Sequence, residues 1–82
     1  MSIGRKETAR AFGQALRAAR FARGFSQEQL AELAELDRTT PSLYERGLRT
    51  PTLTALIDIG RALDIEPTKL LSDTIKQLGR GP

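Results

Sequence analysis

The side chains able to do chemistry in this chain are arginines and short hydroxyl residues, and residues 26–50 bring the two types together. Histidine and cysteine are both missing from the 82 residues. That removes the commonest metal ligand and general base, the thiolate nucleophile and any disulfide framework. There is no glycine-rich phosphate loop and no Ser/His pair. The carboxylates Glu28, Glu32, Glu35 and Asp37 form an exposed acidic face and not a converging pair, so no metal site is expected from them. What is left is binding. Arg38, Thr39, Thr40, Ser42, Arg46, Arg49 and Thr50 offer guanidinium and hydroxyl groups that suit anions and polar edges. The reading is a binding protein with no cofactor, not an enzyme.

The charge is mild overall, +3, but unevenly spread. Residues 1–24 carry Arg5, Lys6, Arg10, Arg17, Arg20 and Arg23 against Glu7 alone. Residues 25–37 carry four acids and no base, and residues 38–50 carry Arg38, Arg46 and Arg49 against Glu45. Two basic blocks thus flank an acidic one, the distribution of a protein that grips phosphate with two elements and turns a third away. No apolar run approaches the length of a membrane span, and the first residues lack the apolar core of a signal peptide. The cytoplasm is the expected location, with no membrane partner.

Five helices must position these groups. Phe12, Ala15, Leu16, Ala19 and Ala22 recur at helical spacing and predict a helix over about 8–23, stopped by Gly24. Residues 1–7 read as a flexible arm. Ser26 and Gln29 form a capping box, with Phe25 and Leu30 as its hydrophobic staple, opening a second helix over about 27–34. Ala31 is small where another helix is expected to cross. A third helix is expected over about 38–46 with Asp37 as its cap; Pro41 leaves a start at Pro41 open as the alternative. Tyr44 can place its ring in the core. Thr52 caps a fourth helix, about 53–63, with Leu53, Leu56, Ile57, Gly60 and Leu63 as its buried face. Pro67 opens a fifth, about 67–77, and residues 79–82 are a tail. The fold class is all-α, one domain over residues 8–78.

Residues 26–47, SQEQLAELAELDRTTPSLYERG, resemble the helix-turn-helix of XRE-type regulators, the phage-repressor and Cro-like DNA-binding domains. The resemblance rests on Gln27, Ala31, Leu30 and Leu36, on Glu45-Arg46-Gly47, and on the following Arg49-Thr50-Pro51-Thr52-Leu53. It covers roughly residues 8–78. It implies a compact five-helix repressor-like domain that reads the major groove of double-stranded DNA. By position it gives base reading to Arg38, Thr39, Thr40, Ser42 and Leu43, and phosphate contact to Gln27, Arg20, Arg46, Arg49 and Thr50. Leu43 has two readings, a thymine methyl contact or partial core packing. The resemblance also pairs Arg20 with Glu45 structurally. Two departures stand out. Glu35 occupies a left-handed turn position where glycine is usual, and Pro41 replaces an aliphatic residue.

The same resemblance implies a homodimer reading half-sites about 34 Å apart. Leu70, Leu71, Thr74, Ile75 and Leu78 in the fifth helix, with Leu63 and Ile65 beside them, are the expected interface. The implied role is bacterial transcription regulation, most simply repression by occlusion. RNA polymerase is a further expected partner, through the acidic face of the second helix. The rival reading is a protein-interaction module of the same fold that has lost specific DNA binding.

Overall fold

Each helix in the computed structural model, which describes residues 4–79, begins and ends on a local signal in the chain. The order is α1 (Arg5–Arg23), α2 (Gln27–Leu33), α3 (Thr40–Glu45), α4 (Leu53–Ala62) and α5 (Pro67–Leu78). Ser26 Oγ accepts the Gln29 N–H at 3.0 Å, and Gln29 Oε1 accepts the Ser26 N–H at 2.8 Å, which closes the capping box of α2. Thr52 Oγ1 accepts the Ala55 N–H at 3.0 Å and starts α4. At α1 the cap is backbone: the Thr8 N–H and hydroxyl both donate to the Gly4 carbonyl, at 3.1 and 3.2 Å. The helix therefore starts one turn earlier than expected. Arg5, Lys6 and Glu7, assigned to the flexible arm, form its first turn. Residues 1–3 of that arm and residues 80–82 of the tail lie outside the described residues.

The first four helices end in one way. After the last turn comes a left-handed residue: Gly24 at φ 71°, Glu35 at 55°, Gly47 at 72° and Asp64 at 55°. The next amide then reaches back five residues: Phe25 to Arg20, Leu36 to Ala31, Leu48 to Leu43 and Ile65 to Gly60, at 2.8 to 3.2 Å. This is the Schellman arrangement, in which the residue after the left-handed one usually makes an apolar contact. Phe25, Leu36 and Ile65 do so, packing against the core. Only two of the four left-handed positions hold glycine. At each of the others an L side chain costs roughly 1–2 kcal/mol.

α1 lies between α5 on one side and α3 on the other, α2 bridges α3 and α4, and α4 returns to α5. The core is Phe12, Ala15, Leu16, Leu30, Ala34, Tyr44, Ile59, Leu63 and Leu70. The Phe12 and Tyr44 rings meet edge to face with centroids 5.5 Å apart, a favoured aromatic geometry. Several expected placements change. The buried positions of α4 are Ala55, Ile59 and Gly60, with Leu63 buried just past its end, and Leu53 is turned out to 74% exposure. Ala22 is exposed, in a groove between the end of α1 and the α5 residues Lys69, Asp73 and Lys76. In α5 the inward positions are Leu70 and Thr74, four apart, so both are buried and leave the expected dimer face, as does Leu63. Thr74 spends its hydroxyl on the Leu70 carbonyl at 2.9 Å.

α1 and α3 approach at Gly13. A Cβ there would overlap the Tyr44 carbonyl oxygen and crowd that of Glu45. Alanine would gain about 1 kcal/mol in helix propensity. Overlap with backbone, which cannot swing aside as a side chain can, costs roughly 1–3 kcal/mol or more. Gly13→Ala should therefore show a net loss, read as a lower urea midpoint with an unchanged slope.

Candidate nucleic-acid interface

The turn between α2 and α3 is built by Glu35 and Leu36. With Glu35 left-handed, the chain reverses within one residue and Leu36 drops, half-buried, onto the core. The path then runs through Asp37, Arg38 and Thr39. The Thr40 N–H donates to the Asp37 carbonyl at 3.0 Å, and the Leu43 N–H to the Thr39 carbonyl at 3.2 Å. So α3 begins at Thr40, between the two expected starts, and Thr39 precedes it without a side-chain cap. Asp37 closes the turn through its carbonyl; its side chain is not the cap. Pro41 fits because the first amides of a helix have no intrahelical partner, so its missing N–H costs nothing there.

Helical spacing divides this segment into two faces. Thr40, Pro41 and Tyr44 point inward and are buried. Arg38, Thr39 and Arg46 are exposed, with Ser42 and Leu43 half-buried between them. Thr40 is 6% exposed and offers almost no surface to a base edge, a correction to its assignment as a base reader. The signal was in the sequence: Thr40 stands four residues before Tyr44, which was already placed in the core. Leu43, half-buried, can both pack and present a methyl group outward.

One ion pair holds the segment against α1. Arg20 Nε donates to Glu45 Oε2 at 2.6 Å and Arg20 Nη2 to Glu45 Oε1 at 2.8 Å, a two-pronged contact. Arg20 Nη1 donates to the Phe25 carbonyl at 2.7 Å. The two side chains are 8% and 3% exposed. The hydrogen bond to Glu45 raises the guanidinium pKa above its ordinary value, against the opposing effect of burial. Gln27 Nε2 adds a third bond to Glu45 Oε1 at 3.2 Å, so the first residue of α2 is tied to the last of α3. Arg20 is thereby removed from the phosphate-binding set: its fork is occupied and buried. Phe21, 60% exposed, lies under two guanidinium groups, those of Arg20 at 4.8 Å and Arg17 at 5.4 Å. The sequence reading did not mark Phe21.

Arg46, Arg49 and Thr50 are exposed beyond α3. Arg46 Nε leans back on the Ser42 carbonyl at 3.4 Å. Burial raises the pKa of Tyr44, and the nearby Arg49 charge opposes the shift. The acidic side chains Glu28 and Glu32 are exposed on α2, and Glu35 and Asp37 on the turn. Among the described residues no cluster of acidic side chains could hold a metal ion, and no helix is long and apolar enough to cross a membrane.

Two short helices joined by a tight turn, with one outward polar face, define a helix-turn-helix in a five-helix scaffold. The chain belongs to the helix-turn-helix domain family, whose model matches residues 11–71, and within it to the XRE-type DNA-binding transcriptional regulators. It is 44% identical over 62 residues to y4dL, an HTH-type transcriptional regulator of Sinorhizobium fredii, covering 71% of this chain. The match spans only 32% of that relative's length. The crystal structure of the restriction-modification controller protein C.AhdI from Aeromonas hydrophila is 47% identical, with a TM-score of 0.73, covering 76% of this chain and 94% of that one. The controller protein C.Esp1396I, solved as a tetramer on its natural 35 base-pair operator, is 27% identical with a TM-score of 0.78, over 89% of this chain and 96% of that one.

Removing one partner of a buried ion pair strands the other charge, at a cost of roughly 3–5 kcal/mol. Glu45→Gln, which keeps the shape, should lower stability by an amount toward that range in chemical denaturation. Replacing both partners with apolar residues, Arg20→Met with Glu45→Leu, should recover most of the loss.

Tyr44 is the only tyrosine, so its ionisation is readable by absorbance. Its folded pKa lies above the unfolded value near 10.0. Stability should hold steady below that pH. It should fall as pH rises between the unfolded and folded values, because only the unfolded chain then releases the proton. Loss of stability running ahead of tyrosinate formation by the native protein checks the sign.

Proposed function

We propose that this chain binds a two-fold operator in double-stranded DNA as a homodimer and represses transcription by occluding the promoter. The observation that carries the reading is the outward face of Arg38, Thr39, Ser42, Leu43 and Arg46, held rigid by the Arg20–Glu45 pair while Thr40, Pro41 and Tyr44 anchor it. Such a face suits the major groove. Arg38 would donate two hydrogen bonds to guanine O6 and N7. Thr39 and Ser42 would make shorter polar contacts, and Leu43 would meet a thymine methyl. Gln27, at the start of α2, and Arg49 and Thr50, in the loop after α3, would hold phosphate beside the C-terminal end of α3. The operator complex of C.Esp1396I supports this class of target.

The dimer is inferred from α5. Leu71 and Ile75 are 47% and 57% exposed and Leu78 is half-buried, leaving an apolar strip on the outward face of α5. One domain of this size touches too few base pairs to select a genomic site, and a second copy doubles the reading. A cytoplasmic location follows from this role. The acidic face of α2 remains available to RNA polymerase.

The deciding experiment titrates the protein against its upstream DNA and a scrambled duplex at two salt concentrations. The native duplex should bind at least about a thousandfold tighter. Arg38→Ala should lose roughly 1–3 kcal/mol of discrimination at one base position, and Ile75→Arg should yield a monomer by sedimentation with weakened operator binding. Equal binding to both duplexes would defeat the operator reading. Binding to neither would favour a protein-interaction module of the same fold.

A further inference from the structure

The first turn of α1 and the loop after α3 face each other across a cleft of about 300 Å³, lined by Arg5, Lys6, Ala9, Gly47, Leu48, Arg49 and Thr50. Its two walls, the start of α1 and the loop after α3, are held in direct contact. Gly47 lies so close to α1 that a Cβ on it would stand 3.0 Å from Arg10 Cγ. The cleft therefore does not depend on a mobile loop closing over it.

Its charge is one-sided. Arg5 and Lys6 bring two cations on one wall, and Arg49 brings a third on the other with the Thr50 hydroxyl beside it. The exposed Arg10 stands at the edge. Among the described residues none of Arg5, Lys6, Arg10 or Arg49 takes part in a salt bridge. The carboxylate of the same turn, Glu7, folds back beside Gly4 and does not line the cleft.

Placement sharpens the point. A helix N-terminus carries partial positive charge and favours acids. Arg5 and Lys6 at the first two positions of α1 run against that preference. Glu7 offsets the helix end from beside Gly4, but the three cations that line the cleft have no acid among them, a lining that suits an anion. The cleft adjoins the C-terminal end of α3. At 1.5 Å per residue that helix is about 9 Å long, so the anion would sit close to the face assigned to bases. The sugar-phosphate backbone is the anion that flanks bases at such a range.

We propose that this cleft seats a DNA backbone phosphodiester, with Arg5 and Lys6 on one side and Arg49 and Thr50 on the other. The proposal rests on the DNA-binding reading above and extends it: the N-terminal turn of α1 becomes part of the grip, acting on phosphate and not on sequence.

The test is the salt dependence of binding for the full chain, on both the native and the scrambled duplex. Each phosphate neutralised contributes about 0.9 to the slope of log K against log salt. The double variant Arg5→Ala/Lys6→Ala should lower that slope by up to about 0.9 on both duplexes and leave the ratio of their affinities unchanged. The charge-matched control, Lys69→Ala/Lys76→Ala on α5, should leave the slope unchanged. Circular dichroism checks that both variants are folded. A slope equal to that of the unaltered protein, or an equal fall in the control, overturns the cleft assignment while the DNA-binding reading stands. If the unaltered protein binds neither duplex, both fall together.

Discussion

The arrangement depends on one buried ion pair. α2 has seven residues and α3 six, too few for either to form alone, since helix nucleation is costly. Their mutual angle must be imposed from outside. Arg20 imposes it: its guanidinium reaches the last residue of α3 through Glu45 and the linker before α2 through the Phe25 carbonyl. Gln27 closes the triangle. An apolar contact of equal size could stabilise the domain as well or better, because two desolvated charges recover little net energy. It would not fix direction. A planar fork meeting a carboxylate permits one orientation, and the angle of α3 is the quantity on which a groove-reading face depends.

Close approach is the second constraint, met by small residues where helices cross. Gly13 lets α1 lie against the backbone of α3, and Ala31, 2% exposed, sits where α2 meets the rest. Larger groups are reserved for the centre, where Leu16, Leu30, Ile59, Leu63 and Leu70 are fully buried. No described buried side-chain nitrogen or oxygen lacks a hydrogen-bond partner. In so short a chain there is little apolar burial to offset an orphaned polar group; of the buried polar residues Arg20, Thr40 and Thr74, Arg20 bonds through all three guanidinium nitrogens and Thr74 through its hydroxyl.

Charge follows the same division of faces. The cations Arg38, Arg46 and Arg49, with Arg5 and Lys6, stand around α3, while the acids Glu28, Glu32, Glu35 and Asp37 gather on α2 and the turn. A polyanion approaching this surface is drawn to one side and repelled by the other, which orients the encounter before any short-range contact forms.

Local signals carry most of this fold, because caps and stops act within a few residues. The capping box at Ser26, the Thr52 cap, Pro67, and the stops at Gly24 and Gly47 are all legible in the sequence, and the five elements follow from them. The left-handed Glu35 was legible only through the family resemblance, which marks a position where glycine is usual; Asp64, left-handed in the same way after α4, carried no such mark. The tertiary structure alone decided how each helix is rotated about its own axis. Leu53 and Leu70 are both leucines in amphipathic helices, yet one is exposed and the other sealed, because neighbours and not composition set which stripe faces in. For the same reason Thr40 left the candidate site and Arg20 became a strut. Arg5 and Lys6 came beside Arg49 and Thr50 only when α1 and α3 packed. Sequence separation says nothing of that distance, whereas the overlap avoided at Gly13 and the contact at Gly47 set it directly.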